Sequence, residues 1–204
     1  MPEVVHVPVN VYEYSELCEE AQEKARTDLG DSLTDIDWSD STLDYFRDIL
    51  QILGFVNATD IEFQYDLCGQ GSGLSFTGDL EYSVKALKVI KERPHLTECI
   101  GLAEKLEELQ AKQDDDQSIS VSVRRKRGRR SVHHLSVDID AYDSDGLYCE
   151  KLSDELEDHF QFVMQEFFFI LRKEYEDYFS DGYILDYLID NPTRFTADGS
   201  VFFE

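Results

Sequence analysis

The chain has 204 residues, with 44 acidic side chains against 19 basic ones, a formal net charge of −25, and 42% hydrophobic and 12% aromatic residues. That length suits one domain, or two small ones sharing a core, and the apolar content excludes a disordered acidic tail. Surplus negative charge disfavours anionic lipid, and no apolar run reaches the ~20 residues that span a bilayer; residues 160–171 come nearest and are broken by Gln161, Gln165 and Glu166.

In chain order, residues 4–14 alternate through Val5, Val7, Val9 and Val11 and predict a strand. Ser15 then opens a helix marked by Leu17, Ala21, Ala25 and Leu29, with Gly30 as its stop. A second helix is predicted over 39–53, with Leu43, Phe46, Ile49, Leu50 and Leu53 on one stripe and Gly54 as its C-terminal stop. Ile61, Phe63, Tyr65 and Leu67 alternate with polar residues as a half-buried strand. A glycine-rich turn, Gly69 to Gly73, leads into a partner strand through Leu74, Phe76 and Leu80.

The period returns to helical over 84–113, split near Pro94, with Leu102, Leu106 and Leu109 facing inward. Ile119, Val121 and Val123 alternate up to a basic run, and Val132, Leu135, Val137 and Ile139 alternate after it, which predicts a hairpin. Leu152, Leu156, Phe160, Val163, Phe167 and Ile170 then mark a long helix reaching Tyr175. A short helix over 183–189 follows, and Asp198-Gly199 signals a final hairpin turn. The order predicts an α+β fold in one domain, 1–204: a mostly antiparallel sheet with helices packed on one face, a basic-tipped hairpin at about 117–140 and a helical C-terminal third.

Four scattered cysteines, Cys18, Cys68, Cys99 and Cys149, form no C-x-x-C pair, and no signal-peptide pattern is present. They are expected to be reduced thiols in the cytoplasm, and the Asn57-Ala58-Thr59 sequon to be idle. The glycine-rich turn is followed by a strand and lacks a lysine, so it reads as a bulge or turn and not as a phosphate cradle. Residues 138–146 resemble a calcium loop in composition, but the register places Ala141 first and Leu152 last, where carboxylates belong. Asp138, Asp140, Asp143 and Asp145 are kept as weak metal candidates. His133 and His134 point to opposite strand faces and cannot easily share a metal, and His159 is placed on the polar side of its helix. No nucleophile–base order stands out, so neither catalytic residues nor a cofactor is expected.

Six of the 19 cations, Arg124, Arg125, Lys126, Arg127, Arg129 and Arg130, fall in seven consecutive positions. This tip can neutralise phosphates and defines a nucleic-acid-binding reading. The competing reading folds it onto the protein's own acidic surface or onto a second copy. The remaining 13 cations face 44 anions, and that field opposes DNA. The acidic side chains Asp154, Glu155, Glu157, Asp158, Glu166, Glu174, Glu176, Asp177 and Asp181 suggest the opposite role. Carboxylates recurring at ~1.5 Å per helical residue approach the charge spacing of duplex DNA, ~1.7 Å of axis. They fit a partner with a basic cleft, drawn in at long range.

Three phrases strengthen that setting: Tyr14-Ser15-Glu16-Leu17 with Glu19 to Ala25, Gly69 to Gly78, and Phe195-Thr196-Ala197-Asp198-Gly199. Together with a hairpin carrying Gly128-Arg129 and His133, they resemble a group of small acidic bacteriophage and prophage proteins, some labelled antitoxin-like. The resemblance covers most of the chain, although the tip here is more basic than the group's. It implies a phage setting, and with the acidic surface that setting points to a phage-encoded inhibitor of a host defence or nucleic-acid-processing enzyme, of anti-CRISPR or anti-restriction type, acting in the host cytoplasm by protein–protein contact as a DNA mimic. A nucleic-acid-binding accessory protein is the alternative.

Overall fold

Leu43, Phe46, Ile49, Leu50 and Leu53 recur at three- and four-residue spacing, and every one of them is buried along the helix Asp40–Leu53. The computed structural model describes residues 9–33, 38–67, 72–81, 91, 100–111, 119–125, 137–191 and 193–202. Its helices are α1 (Glu19–Leu33), α2 (Asp40–Leu53), α3 (Ile100–Gln110), α4 (Glu150–Tyr178) and α5 (Asp181–Asp190). Its strands are β1 (Glu62–Asp66), β2 (Gly73–Glu81), β3 (Ser120–Arg125) and β4 (Val137–Tyr142). The strands form one antiparallel sheet in the order β1-β2-β3-β4, so the fold is α+β as predicted. Among the described residues no helix is long and apolar enough to cross a membrane.

The prediction of one domain over 1–204 meets a chain gathered into two compact units. One comprises Met1–Ser39 and Lys173–Glu204, the other Asp40–Arg172.

The larger unit holds the sheet. Val121 and Val123 on β3 face the same side as Val137, Ile139 and Ala141 on β4, and all are buried. Aromatic rings from α2, β2 and α4 complete this core. Phe46 stacks on Phe167 with centroids 4.2 Å apart, and Phe76 meets Phe55, Phe63, Phe160 and Phe167. Such pairs add about 0.5–1.5 kcal/mol each beyond the area they bury. Helix α2 ends where Gly54 takes φ 110°, a value glycine adopts without strain.

In the smaller unit Tyr14, Leu17, Ala21, Ala25 and Leu33 pack with Ile184, Leu188 and Phe195. Lys24 Nζ donates to Asp198 Oδ2 at 2.7 Å, and Arg194 Nη1 to Glu13 Oε1 at 2.9 Å. The Lys24 contact, followed by the Thr196 and Ser200 hydroxyls, holds the Asp198 carboxyl well below the usual carboxylate range.

Two local expectations are corrected. The described part of the first predicted strand forms only a single bridge, Tyr12 to Phe195, before Tyr14–Glu16 turns as a 3-10 helix. The Glu16 carboxylate accepts the Glu13 N–H at 2.8 Å and closes that turn, which sends Tyr14 into the core. Gly30 does not stop α1, which starts at Glu19 and runs on to Leu33. A Cβ there would stand 3.5 Å from Ile184 Cδ1, an ordinary van der Waals distance, so the helix runs on beside α5 at Gly30 without a steric demand for glycine. The glycine-rich turn over 69–71, most of the predicted helix before residue 100, and residues 126–136 lie outside the described residues.

Candidate functional site

The sequence predicts a row of carboxylates along α4 and into α5. The structure exposes Asp154 and Asp158, half-buries Glu155, Glu157 and Glu166, and exposes Glu174, Glu176 and Asp177 and, on α5, Asp181. The four acids between residues 154 and 158 occupy about 7.5 Å of axis, close to one per ~1.9 Å, against ~1.7 Å for duplex DNA. The row is not continuous. Only Glu166 lies between Asp158 and Glu174, and there the outer face carries exposed Phe162 and Phe169, then the cations Arg172 and Lys173.

Among the described residues, Glu155, Glu157 and Glu176 are engaged by the protein itself and the other six of these acids are not. Lys151 Nζ lies 3.8 Å from Glu155 Oε1, and Gln161 Nε2 donates to Glu157 Oε1 at 3.1 Å. The side chains of Asp154, Asp158, Glu166, Glu174, Asp177 and Asp181 pair with no cation and accept no hydrogen bond among the described residues. Glu150, Asp154 and Asp158 also follow one another at four-residue spacing, which places like charges side by side. Each such pair costs a helix about 0.2–0.5 kcal/mol.

A second acidic surface comes from the sheet and was missed by reading the helices alone. Because side chains alternate along a strand, burying Val121 and Val123 turns Ser120, Ser122 and Arg124 to the opposite face. Register sets Asp79 beside Ser122 and Ser122 beside Asp140, with Arg124 opposite Asp138. Asp79 Oδ1 accepts from Ser122 Oγ at 2.6 Å and from Arg124 Nη2 at 3.0 Å. Glu62, Asp79 and Glu81 are exposed, and Asp138 and Asp140 half-buried. The alternating serines of β3 were the available signal, since a strand apolar on one side displays its neighbours on the other.

The strand pairing from Ser120↔Tyr142 to Arg125↔Val137 gives the two arms of the predicted basic-tipped hairpin. Lys126, Arg127, Arg129 and Arg130, with His133 and His134, lie outside the described residues. Arg124 is already committed to Asp79.

The metal candidates do not converge. Among the described residues no group of three or more His, Cys, Asp or Glu side chains comes together to hold an ion. Asp143 Oδ1 instead accepts the N–H groups of Asp145 and Leu147, each at 2.9 Å, and Gly146 at φ 78° closes the turn. The carboxylate is spent on its own backbone.

His159 also departs from expectation. It is fully buried, with neither ring nitrogen hydrogen-bonded among the described residues, and its ring centroid lies 5.1 Å from that of Phe160. Burial, reinforced by Lys105, pushes it down to about 4, which keeps the imidazole neutral. Its spacing of three from Leu156 and four from Val163 already set it on the apolar face.

A family model described as a domain of unknown function (DUF8835) matches residues 38–181. The chain therefore belongs to that family. Neither a curated protein nor a solved structure matches it.

Proposed function

Starting from membership of a family without an assigned role, we propose that the protein is a phage-encoded inhibitor that binds a cationic macromolecule. Its carboxylates occupy the basic nucleic-acid cleft of a host defence enzyme, of the anti-CRISPR or anti-restriction type. The observation that carries this reading is the set of α4 carboxylates without a partner among the described residues, above all Asp154 and Asp158. A helix gains nothing internally from like charges at that spacing, whereas a basic cleft gains both affinity and rate of encounter. The dense segment over 154–158 supports mimicry of a short stretch of phosphates, not of a long duplex. The capture of Arg124 by Asp79 weighs against the nucleic-acid-binding alternative, because that cation is already neutralised within the sheet.

The test is displacement. A restriction nuclease or CRISPR effector with a basic cleft is loaded with labelled duplex, and the protein is titrated in at low and high salt. Displacement that weakens with salt, and is lost on Asp154→Lys with Asp158→Lys while the far-ultraviolet spectrum is unchanged, is the expected result. Retention of labelled DNA by the protein itself, abolished by neutralising the six cations at 124–130, would instead establish the alternative.

A further inference from the structure

Helix α5 presents a second recognition surface of different chemistry. Ile184 and Leu188 are buried in the core of the smaller unit. At 100° per residue, that leaves Tyr183, Asp186, Tyr187 and Asp190 together on the outer face. Ser180 Oγ accepts the Tyr183 N–H at 3.2 Å and starts the helix there. Asn191 Nδ2 donates to the Tyr187 carbonyl at 2.8 Å and closes it. Tyr183 and Tyr187 remain 39% and 38% exposed. The Tyr183 ring lies 4.9 Å from that of Tyr178, at the end of α4. Burial and the adjoining Tyr183 and Tyr187 phenols raise the Tyr178 phenol above its usual range.

Solubility alone does not account for this face. Charged side chains keep a helix in water, and exposed aromatic rings work against that purpose. Each ring here has an aspartate three residues further on, and Asp186 and Asp190 are exposed and pair with no cation among the described residues. Residues three apart on a helix have Cβ atoms ~5–6 Å from one another. A planar guanidinium can therefore lie on a tyrosine ring while its N–H edge reaches the neighbouring carboxylate. A lysine ammonium offers a point charge and cannot make both contacts in that form.

We propose that Tyr183, Asp186, Tyr187 and Asp190 form an arginine-binding face that receives an arginine-rich segment of the protein's basic partner. Charge complementarity selects that occupant, since the face combines aromatic surface with carboxylates that have no cation partner among the described residues, in a chain of net charge −25. The inference rests on the proposed function, because it names the chemistry of the same cationic partner.

The test compares labelled oligoarginine and oligolysine of equal length by fluorescence anisotropy at two salt concentrations. The native protein should bind oligoarginine about tenfold more tightly, as two exposed cation–π contacts would give. Tyr183→Leu with Tyr187→Leu should erase that preference and leave oligolysine affinity unchanged. Asp186→Asn with Asp190→Asn should weaken both peptides. All four sites are exposed, and circular dichroism checks the fold of each variant. Equal binding of both peptides, or a preference that survives the tyrosine variants, overturns this inference but leaves the acidic-surface function standing. Failure of both peptides to bind at low salt overturns this inference and the proposed function together. Sedimentation showing self-association that the tyrosine variants abolish assigns the face to a second copy and overturns the arginine assignment.

Discussion

A Cβ placed on Gly199 would stand 2.1 Å from the carbonyl oxygen of Ala21, so the C-terminal turn touches helix α1 backbone to backbone. Gly199 also has φ 86°, a conformation that side-chain-bearing residues rarely adopt. Neither backbone can give way cheaply. Gly199→Ala is expected to cost about 2–4 kcal/mol in chemical denaturation. Gly101→Ala supplies the contrast. Among the described residues nothing lies within 4 Å of a Cβ at that position in α3, and the substitution should stabilise by about 0.5 kcal/mol. Similar effects at the two sites would show that the turn does not bear on α1 in this way.

His159 predicts a dependence on pH. Its pKa falls from 6.5 in the unfolded chain to about 4 in the folded one. The unfolded state therefore binds more protons between those values, and stability declines as pH drops through that window. Over the whole window the loss is about 3 kcal/mol. The general acid sensitivity of so many carboxylates is removed by difference. The urea midpoint of His159→Leu should fall less than that of the native protein between pH 7 and pH 4.5. The leucine variant should be at least as stable at neutral pH, because two unpaired buried nitrogens disappear. Parallel midpoint curves would refute a buried neutral histidine.

The charge row on α4 makes a prediction of opposite sign for folding and for binding. Asp154→Asn with Asp158→Asn removes a repulsive pair at four-residue spacing. The variant should gain a few tenths of a kcal/mol at low ionic strength, and the gain should vanish at high salt. The same variant should displace DNA from a basic cleft less well than the native protein. A row kept for folding would show a loss of stability instead.

Periodicity made much of this fold legible before any tertiary contact was considered. The 3.6-residue stripe of Leu43, Phe46, Ile49, Leu50 and Leu53 places α2 within one residue of its observed start. The alternation of Ile119, Val121 and Val123 gives β3 and, by elimination, its polar face. Both patterns are local, because a helix or strand shows its buried side at every turn or pleat. The acidic site was legible in kind but not in arrangement. Residue counts could not show that Phe162, Phe169, Arg172 and Lys173 break the carboxylate row.

By itself, then, the sequence determined the α+β class, the antiparallel hairpin arms, the negative surface and the cationic run that interrupts it. All follow from neighbours along the chain and from composition. Tertiary structure decided the pairing of Asp79 with Ser122 and Arg124, the burial of His159, the placement of Gly30 beside Ile184 and the contact of Gly199 with Ala21. It also decided that both ends of the chain contribute to one compact unit. Each of these depends on residues far apart in sequence meeting at van der Waals or hydrogen-bond distance, and no local pattern encodes which distant partner a side chain will meet.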